Sequence, residues 1–403
     1  MRSIFVPRAR RALLSSCALF QISCLAGALI GCGSAPSSAP TTTTTPVNPT
    51  PTVRPKFAYT GDQVRSLSGY SVDPLTGALT PLSGFPLTTG VEPENVTHDP
   101  QNRFLFVSDI GAQMLHVYAI DSTTGALQEI SPSPYNTMIE SEMMIVDPSG
   151  THVYLYRTGG SASYPGVTGN QIVAFNLSST GVLSAVQGSP FLAGAPGDTF
   201  ASATGMAIDA AGKYLYLQNN FNLYTFSIDA ASGGLTLLQT IPSQIISGGM
   251  ALDPGNRYLY AAEYNLLKAY AIDPASGLLS LAKSTPMATT PLTIQTIAYT
   301  IALSPNGNFL YTIENNNDLV SYAVTNGAFA PVGTIFSGVY GQKIAVDPSG
   351  SFVYVPQACS NCPSGVYNVI HQFSIGKTGA LTPLSPSTVA AGVTPWSITV
   401  TSQ

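Results

Sequence analysis

The chain has 403 residues, of which 44% are hydrophobic and only 9% charged, with 20 tyrosines, 37 glycines and a formal net charge of −5. Few charges and many glycines suit an all-β protein rich in turns. The acidic balance repels nucleic acid, and no basic cluster offers it a groove.

The N-terminus carries Arg2, Arg8, Arg10 and Arg11, then an apolar run from Ala12 to Ile30, and then Cys32. Basic, apolar and small in that order reads as an export signal. Leu29-Ile30-Gly31-Cys32 resembles a bacterial lipobox, which makes residues 1–31 a signal peptide and Cys32 the lipidated first residue of the mature chain. An uncleaved membrane anchor is the alternative, but the apolar stretch is short and interrupted for a stable span. Ser34 stands where an inner-membrane retention signal would carry Asp, so the resemblance implies outer-membrane attachment, facing the periplasm or the surface. Without the leader there are eleven basic against twenty acidic residues, a net charge of −9. Residues 32–55 are rich in Ser, Thr and Pro, with five consecutive threonines. They have little to bury, so an extended, disordered tether is expected.

From residue 56 onward one pattern repeats. Its clearest copy runs from Met250 to Leu281: a strand around Met250–Leu252, an Asp253-Pro254-Gly255-Asn256 turn, a strand Tyr258–Glu263, a strand Leu267–Ile272, an Asp273-Pro274-Ala275-Ser276-Gly277 turn and a fourth strand. The second strand recurs at Phe57–Asp62, Phe104–Asp109, His152–Arg157, Tyr214–Asn219, Phe309–Glu314 and Phe352–Gln357, seven copies in all. The first strand recurs at Glu94–Asp99, Glu142–Asp147, Thr204–Asp209, Tyr299–Ser304 and Gln342–Asp347, with a last copy, Trp396–Thr401, at the C-terminus. A period near 44 residues, as between Asp209 and Asp253, with four strands each, predicts propeller blades. The N-terminus starts at a second strand and the C-terminus ends on a first. The prediction is therefore a seven-bladed β-propeller over 56–403, closed when the C-terminal strand joins the N-terminal blade. One propeller fills the length, and a monomer is expected.

The start of each first strand and the end of each second strand fall on one face, the top. The longer loops, 157–170 and 357–368, emerge there, and variable loops on a rigid scaffold are where binding usually resides. Second strands end in Asp62, Asp109, Arg157, Asn219, Glu263, Glu314 and Gln357; first strands begin with residues including Glu94, Glu142, Tyr299 and Gln342. These residues are expected to ring the channel mouth, where crowded carboxylates would raise one another's pKa. The alternative is that strand ends are polar because they are wet. Glu142 and Arg157 share a blade beside the longest loop; they could divide base and oxyanion roles or form a salt bridge tying that loop down.

Other residues suggest less. His98 replaces an aliphatic first-strand residue and reads as a core histidine; His116, His152 and His371 are scattered among blades. No spacing suggests zinc, no loop carries a Ca²⁺ ligand series, and no cofactor is implied. Cys359 and Cys362, exported to an oxidising compartment, are expected to tie a loop as a disulfide rather than act as a redox pair.

The repeated DPxG and DPxTGxL units, as in Asp147-Pro148-Ser149-Gly150 and Asp73-Pro74-Leu75-Thr76-Gly77, resemble the seven-bladed lactonase family, with its 6-phosphogluconolactonase-like members, carboxymuconate cyclases and exported YVTN-type propellers. The resemblance covers about residues 56–403 and rests on turn and packing positions. It implies metal-free opening or closing of a lactone by a base and an oxyanion-stabilising cation near the mouth. Active members place His, Glu and Arg there; here Glu142 and Arg157 correspond, without a histidine. A mouth with one Arg and four acids suits a neutral lactone or sugar better than a phosphosugar. The rival reading is a non-catalytic propeller binding a small molecule or a protein at the cell surface.

Overall fold

The structure, a computed structural model, describes residues 53–403 except 91, 138–142, 159–168, 195–200, 244–247, 289–297, 315–317, 338–340, 342 and 359–367. Seven antiparallel sheets follow one another along the chain, and among the described residues there is no helix. Each sheet is one blade, its strands numbered outward from the centre. Blade 1 is Pro395–Ser402, Pro55–Asp62, Ser66–Val72 and Leu79–Pro81; blade 2 begins at Pro93–His98 and blade 3 at Met144–Val146. Blades 4, 5, 6 and 7 begin at Ala203–Ile208, Met250–Leu252, Ala298–Leu303 and Ala345–Val346. In blades 1 to 3 the fourth strand is broken in two by a Pro-containing segment, because proline donates no ladder hydrogen bond. Where the ladder is interrupted, Ser133 and Ser189 hydroxyls accept from Val117 N and Ala174 N at 3.0 and 2.9 Å.

Closure follows the expected scheme. The C-terminal strand Pro395–Ser402 pairs antiparallel with Pro55–Asp62, with Tyr59 opposite Thr399, and Phe57 N donates to Thr401 Oγ1 at 3.1 Å. Seven hydrophobic clusters lie between the blades, one at each interface, including that between blades 7 and 1. The central second-strand aromatics (Tyr59, Phe106, Tyr154, Tyr216, Tyr260, Tyr311 and Tyr354) are buried in them. Four of these tyrosines also reach into the next blade: their hydroxyls donate to the carbonyls of Gly125, Gly233, Gly277 and Gly77, each the turn glycine between the third and fourth strands.

The DPxG turns are built as their residue types predict. Asp147 Oδ1 accepts from Thr151 N and His152 N, both at 2.7 Å, and Asp347 Oδ1 accepts from Ser351 N and Phe352 N. Burial pushes the Asp147 carboxyl up, but hydrogen bonds from His152, Ser149 and Thr151 outweigh it and bring it down to about 2. The short, repetitive face is thus a set of satisfied turns, which leaves the opposite face for function.

Candidate functional site

Register places the second-strand ends beside the first-strand starts: Asp62 opposes Pro395, Asp109 opposes Pro93, Asn219 opposes Ala203 and Glu314 opposes Ala298. Position on the top face is as expected; exposure is not. Asp62, Asp109, Asn219, Glu263, Glu314 and Gln357 are each 3% exposed or less. They form neither an open ring nor a wetted rim.

The reason lies in strand alternation. Tyr59 points toward blade 2, so Asp62, three residues on, points the other way, under the end of blade 7. A Cβ built on Gly392 would lie 2.0 Å from Asp62 Oδ2, and one on Gly90 would lie 1.8 Å from Asp109 Oδ2. At both places the absence of a side chain lets the chain pass over the carboxylate. Each end residue then closes the hairpin between its second and third strands. Asp62 accepts from Thr60, Ser68 and Ser66 hydroxyls at 2.9, 2.7 and 3.2 Å. Asp109 accepts from Glu92 N and Ala112 N, and Asn219 from Phe221 N and Asn222 N. Glu263 accepts from Lys268 at 2.5 Å and Tyr270 at 2.6 Å, and Glu314 from Thr312 and Tyr322. Arg157, half-buried, donates through Nη2 to Gln171 on the third strand. The expected mutual pKa raising is absent from the causes at Asp62: its carboxyl is pushed up to about 6 by burial, against the pull of three hydroxyls.

The resemblance left the mouth without a histidine; two stand on third strands two residues below the second-strand ends, His371 opposite Val355 and His116 opposite Val107, and turn toward those ends. His371 Nε2 meets Gln357 Oε1, and His116 Nε2 lies 3.9 Å from Asp109 Oδ2 while its Nδ1 meets Glu129 at 2.8 Å. Burial pushes His371 down to about 4, so it is neutral at pH 7. The sequence showed both only as histidines scattered among blades, because their contacts with Gln357 and Asp109 depend on the pairing of second and third strands. His98 is half-buried, and its Nδ1 meets Thr399 Oγ1 at 2.7 Å; burial, opposed by Asp99, takes it down to about 4.

Glu94 is buried, and Ser397 Oγ donates to its carbonyl. Tyr299 lies in the strand Ala298–Leu303. Glu142, Gln342, Cys32, Cys359 and Cys362 fall outside the described residues. Among the described residues no group of three or more His, Cys, Asp or Glu side chains is arranged to hold a metal ion.

One cation was not anticipated at the mouth. Lys343, just before the first strand of blade 7, places Nζ 3.8 Å from Met143 Sδ, just before that of blade 3. Blades 3 and 7 are as far apart as a ring of seven allows, so this contact crosses the centre.

Residues 168–296 match the model of the lactonase family described as a seven-bladed β-propeller. No curated protein matches the chain. Among solved structures, a candidate 6-phosphogluconolactonase from Bacteroides uniformis superposes with a TM-score of 0.70 at 17% identity, over 86% of this chain and 100% of the other. A second, from Bacteroides fragilis, gives 0.69 at 17% identity over 88% and 100%. The periplasmic gluconolactonase of Pseudomonas aeruginosa gives 0.69 at 17% identity over 85% and 98%. At such identities the likeness to these structures is one of fold. The repeat and the closed ring agree with these comparisons: this chain is a seven-bladed β-propeller, and residues 168–296 of it match the lactonase family of that fold.

Proposed function

We propose that this propeller is an exported, lipid-anchored protein of the bacterial envelope that opens an unphosphorylated lactone at its top mouth, without a resident metal. The observation that carries this reading is the match of residues 168–296 to the lactonase family. Support for the location comes from the leader and Cys32, and from the periplasmic gluconolactonase that shares the fold. In the reaction a carboxylate takes a proton from water, and the water oxygen adds to the lactone carbonyl. The ring C–O bond then breaks, its oxygen takes up a proton, and a hydroxy acid leaves as the carboxylate. Glu142, adjacent to Met143, is the candidate base, and Arg157 the candidate partner for the oxyanion.

A second reading, a non-catalytic binding propeller, is favoured by one observation: six of the seven second-strand ends are buried in hairpin-closing hydrogen bonds or packing. A pH-stat screen of phosphorylated and unphosphorylated lactones with wild type, Glu142→Gln and Arg157→Ala separates the two. Turnover lost in both variants at unchanged melting temperature supports catalysis. Turnover confined to 6-phosphogluconolactone overturns the unphosphorylated assignment, and no turnover on any lactone favours the binding reading.

A further inference from the structure

Blade 1 differs from the other six on the face of the short turns. In blades 2 to 7 a turn headed by Asp99, Asp147, Asp209, Asp253, Ser304 or Asp347 joins the first strand to the second. In blade 1 those two strands come from opposite ends of the chain, and the last rung between them is Gln403 N donating to Arg54 O at 2.8 Å. Where the others have a turn, blade 1 has two chain ends, and a hollow of about 440 Å³ borders them. Val53 and Arg54 line it, with Pro74 and Leu75 from the outer turn of blade 1 and Pro348 and Phe352 from blade 7.

The hollow joins apolar surface to a cation. Leu75 is 77% exposed and Val53 is 50% exposed. Four outer turns begin with an aspartate (Asp73, Asp121, Asp229 and Asp273), and their third residues are Leu75, Thr123, Ala231 and Ala275. Among these turns blade 1 alone sets a large apolar side chain at the tip. Arg54 is exposed beside it, and between Arg11 and Arg54 no residue is charged. The aspartates heading the two bordering turns accept from turn amides: Asp73 from Leu75 N and Thr76 N, Asp347 from Ser351 N and Phe352 N. Position then indicates the partner. Pro55 begins its strand on the turn face and Asp62 ends it at the top, so the chain leaves the propeller at the hollow. Residues 33–52 separate Cys32 from Val53. That length spans roughly 70 Å fully extended and about 25 Å as a coil. A lipid on Cys32 therefore holds the turn face, and not the mouth, next to the bilayer.

We propose that this end of the propeller is a membrane-docking surface. Val53 and Leu75 enter the headgroup region of an anionic bilayer, Arg54 meets a lipid phosphate, and the mouth opens away from the bilayer. The proposal rests on the lipid-anchor reading of Cys32 and is independent of the catalytic one. Two apolar side chains and one arginine make a weak contact by themselves, but a guanidinium matches phosphate oxygens and the apolar pair gains by leaving water. The anchor makes the contact intramolecular, so a weak surface is enough to set orientation.

The test is hydroxyl-radical footprinting, read by mass spectrometry, of the mature chain in vesicles of phosphatidylethanolamine and phosphatidylglycerol. The reference is the same chain made lipid-free as Cys32→Ser and kept in solution. Oxidation of Leu75 and Val53 should fall severalfold in vesicles. Val64 and Val393, 52% and 50% exposed at the top, should stay as reactive as in solution. Protection of Val64 and Val393 in place of Leu75 would turn the mouth to the membrane, and unchanged reactivity everywhere would mean that the tether holds the propeller clear. Protection of Leu75 without vesicles, rising with protein concentration, would make the face a contact between two copies. Each of these results overturns the proposal. Sedimentation of the Cys32→Ser chain with the same vesicles measures docking apart from the anchor. Leu75→Ser should weaken it by about tenfold and Arg54→Ser by about fivefold, with the Arg54 effect absent on vesicles of phosphatidylcholine alone. Equal sedimentation of both variants with their parent overturns the proposal. If the native chain carries no lipid while vesicle docking depends on Leu75, the surface stands and the anchor falls. If the native chain is lipidated and Leu75 stays reactive in vesicles, the reverse holds.

Discussion

The Tyr354 hydroxyl donates a 2.7 Å hydrogen bond to the carbonyl of Gly77, 277 residues earlier in the chain, and so joins blade 7 to blade 1. Gly77 has φ +74°, and a Cβ there would lie 2.2 Å from the Phe352 ring, so the turn that presents the carbonyl tolerates no side chain. Tyr354→Phe leaves that buried carbonyl without its donor and should cost about 1–3 kcal/mol. Gly77→Ala should cost more, because strain and clash add. Urea denaturation of both variants measures this; equal stability of wild type and Tyr354→Phe would show that the bond contributes nothing net.

Ring closure is tested by deleting residues 396–403. The deletion removes the innermost strand of blade 1 and exposes the edge of Pro55–Asp62. Insolubility or a large fall in melting temperature is expected, since an unpaired edge invites association. A truncated chain that melts with the full-length protein would contradict closure by this strand.

Asp62 sets a pH dependence. Its folded pKa, about 6, lies above the ordinary 3.8, so the folded state holds the proton more tightly than the unfolded one. The stabilisation from protonated Asp62 is complete below about pH 4 and is lost as pH rises through 6, by about 3 kcal/mol in order of magnitude. Asp62→Asn should flatten stability between about pH 4 and pH 6. Asp147 acts at the other end: held down at about 2, it stabilises the fold above pH 4, and that contribution disappears as pH falls toward 2. Melting temperatures of wild type and Asp62→Asn across pH 3–8 should show both limbs; an unaltered upper limb in the variant would rule out Asp62 as its source.

Glu263 distinguishes support from chemistry. Buried with Lys268 and Tyr270 in its own blade, it should cost about 3–5 kcal/mol when changed to Ala, which strands a partly buried ammonium. Any kcat/KM for a lactone, measured well below the variant's melting temperature, should stay within about twofold. A loss of more than tenfold would put Glu263 at the reacting centre.

Lipidation predicts that Cys32→Ser yields soluble, released protein or an unprocessed precursor. Mass spectrometry of the mature N-terminus decides: a mature chain beginning elsewhere without lipid would end the anchoring proposal.

Blade number, strand order and closure were legible because they are written in local chemistry. Alternation marks the second strands, Asp and Gly mark the turns, and the mismatch between the termini shows which strand closes the ring. Asp147 and Asp347 could be placed from sequence because an Asp caps a turn with amides four and five residues away. The mouth was legible only as a list of residues. A polar residue at a strand end looks the same whether it meets solvent, substrate or the flank of the preceding blade. What buries Asp62 and Asp109 is the close passage of Gly392 and Gly90, a relationship between blades that no strand pattern contains. Lys343 lies one residue beyond the strand-start position first singled out, Gln342, and its partner Met143 is 200 residues away. Only closing the ring brings the two together, because distance across a propeller depends on blade number and twist, whereas strands and turns depend on neighbours in the chain.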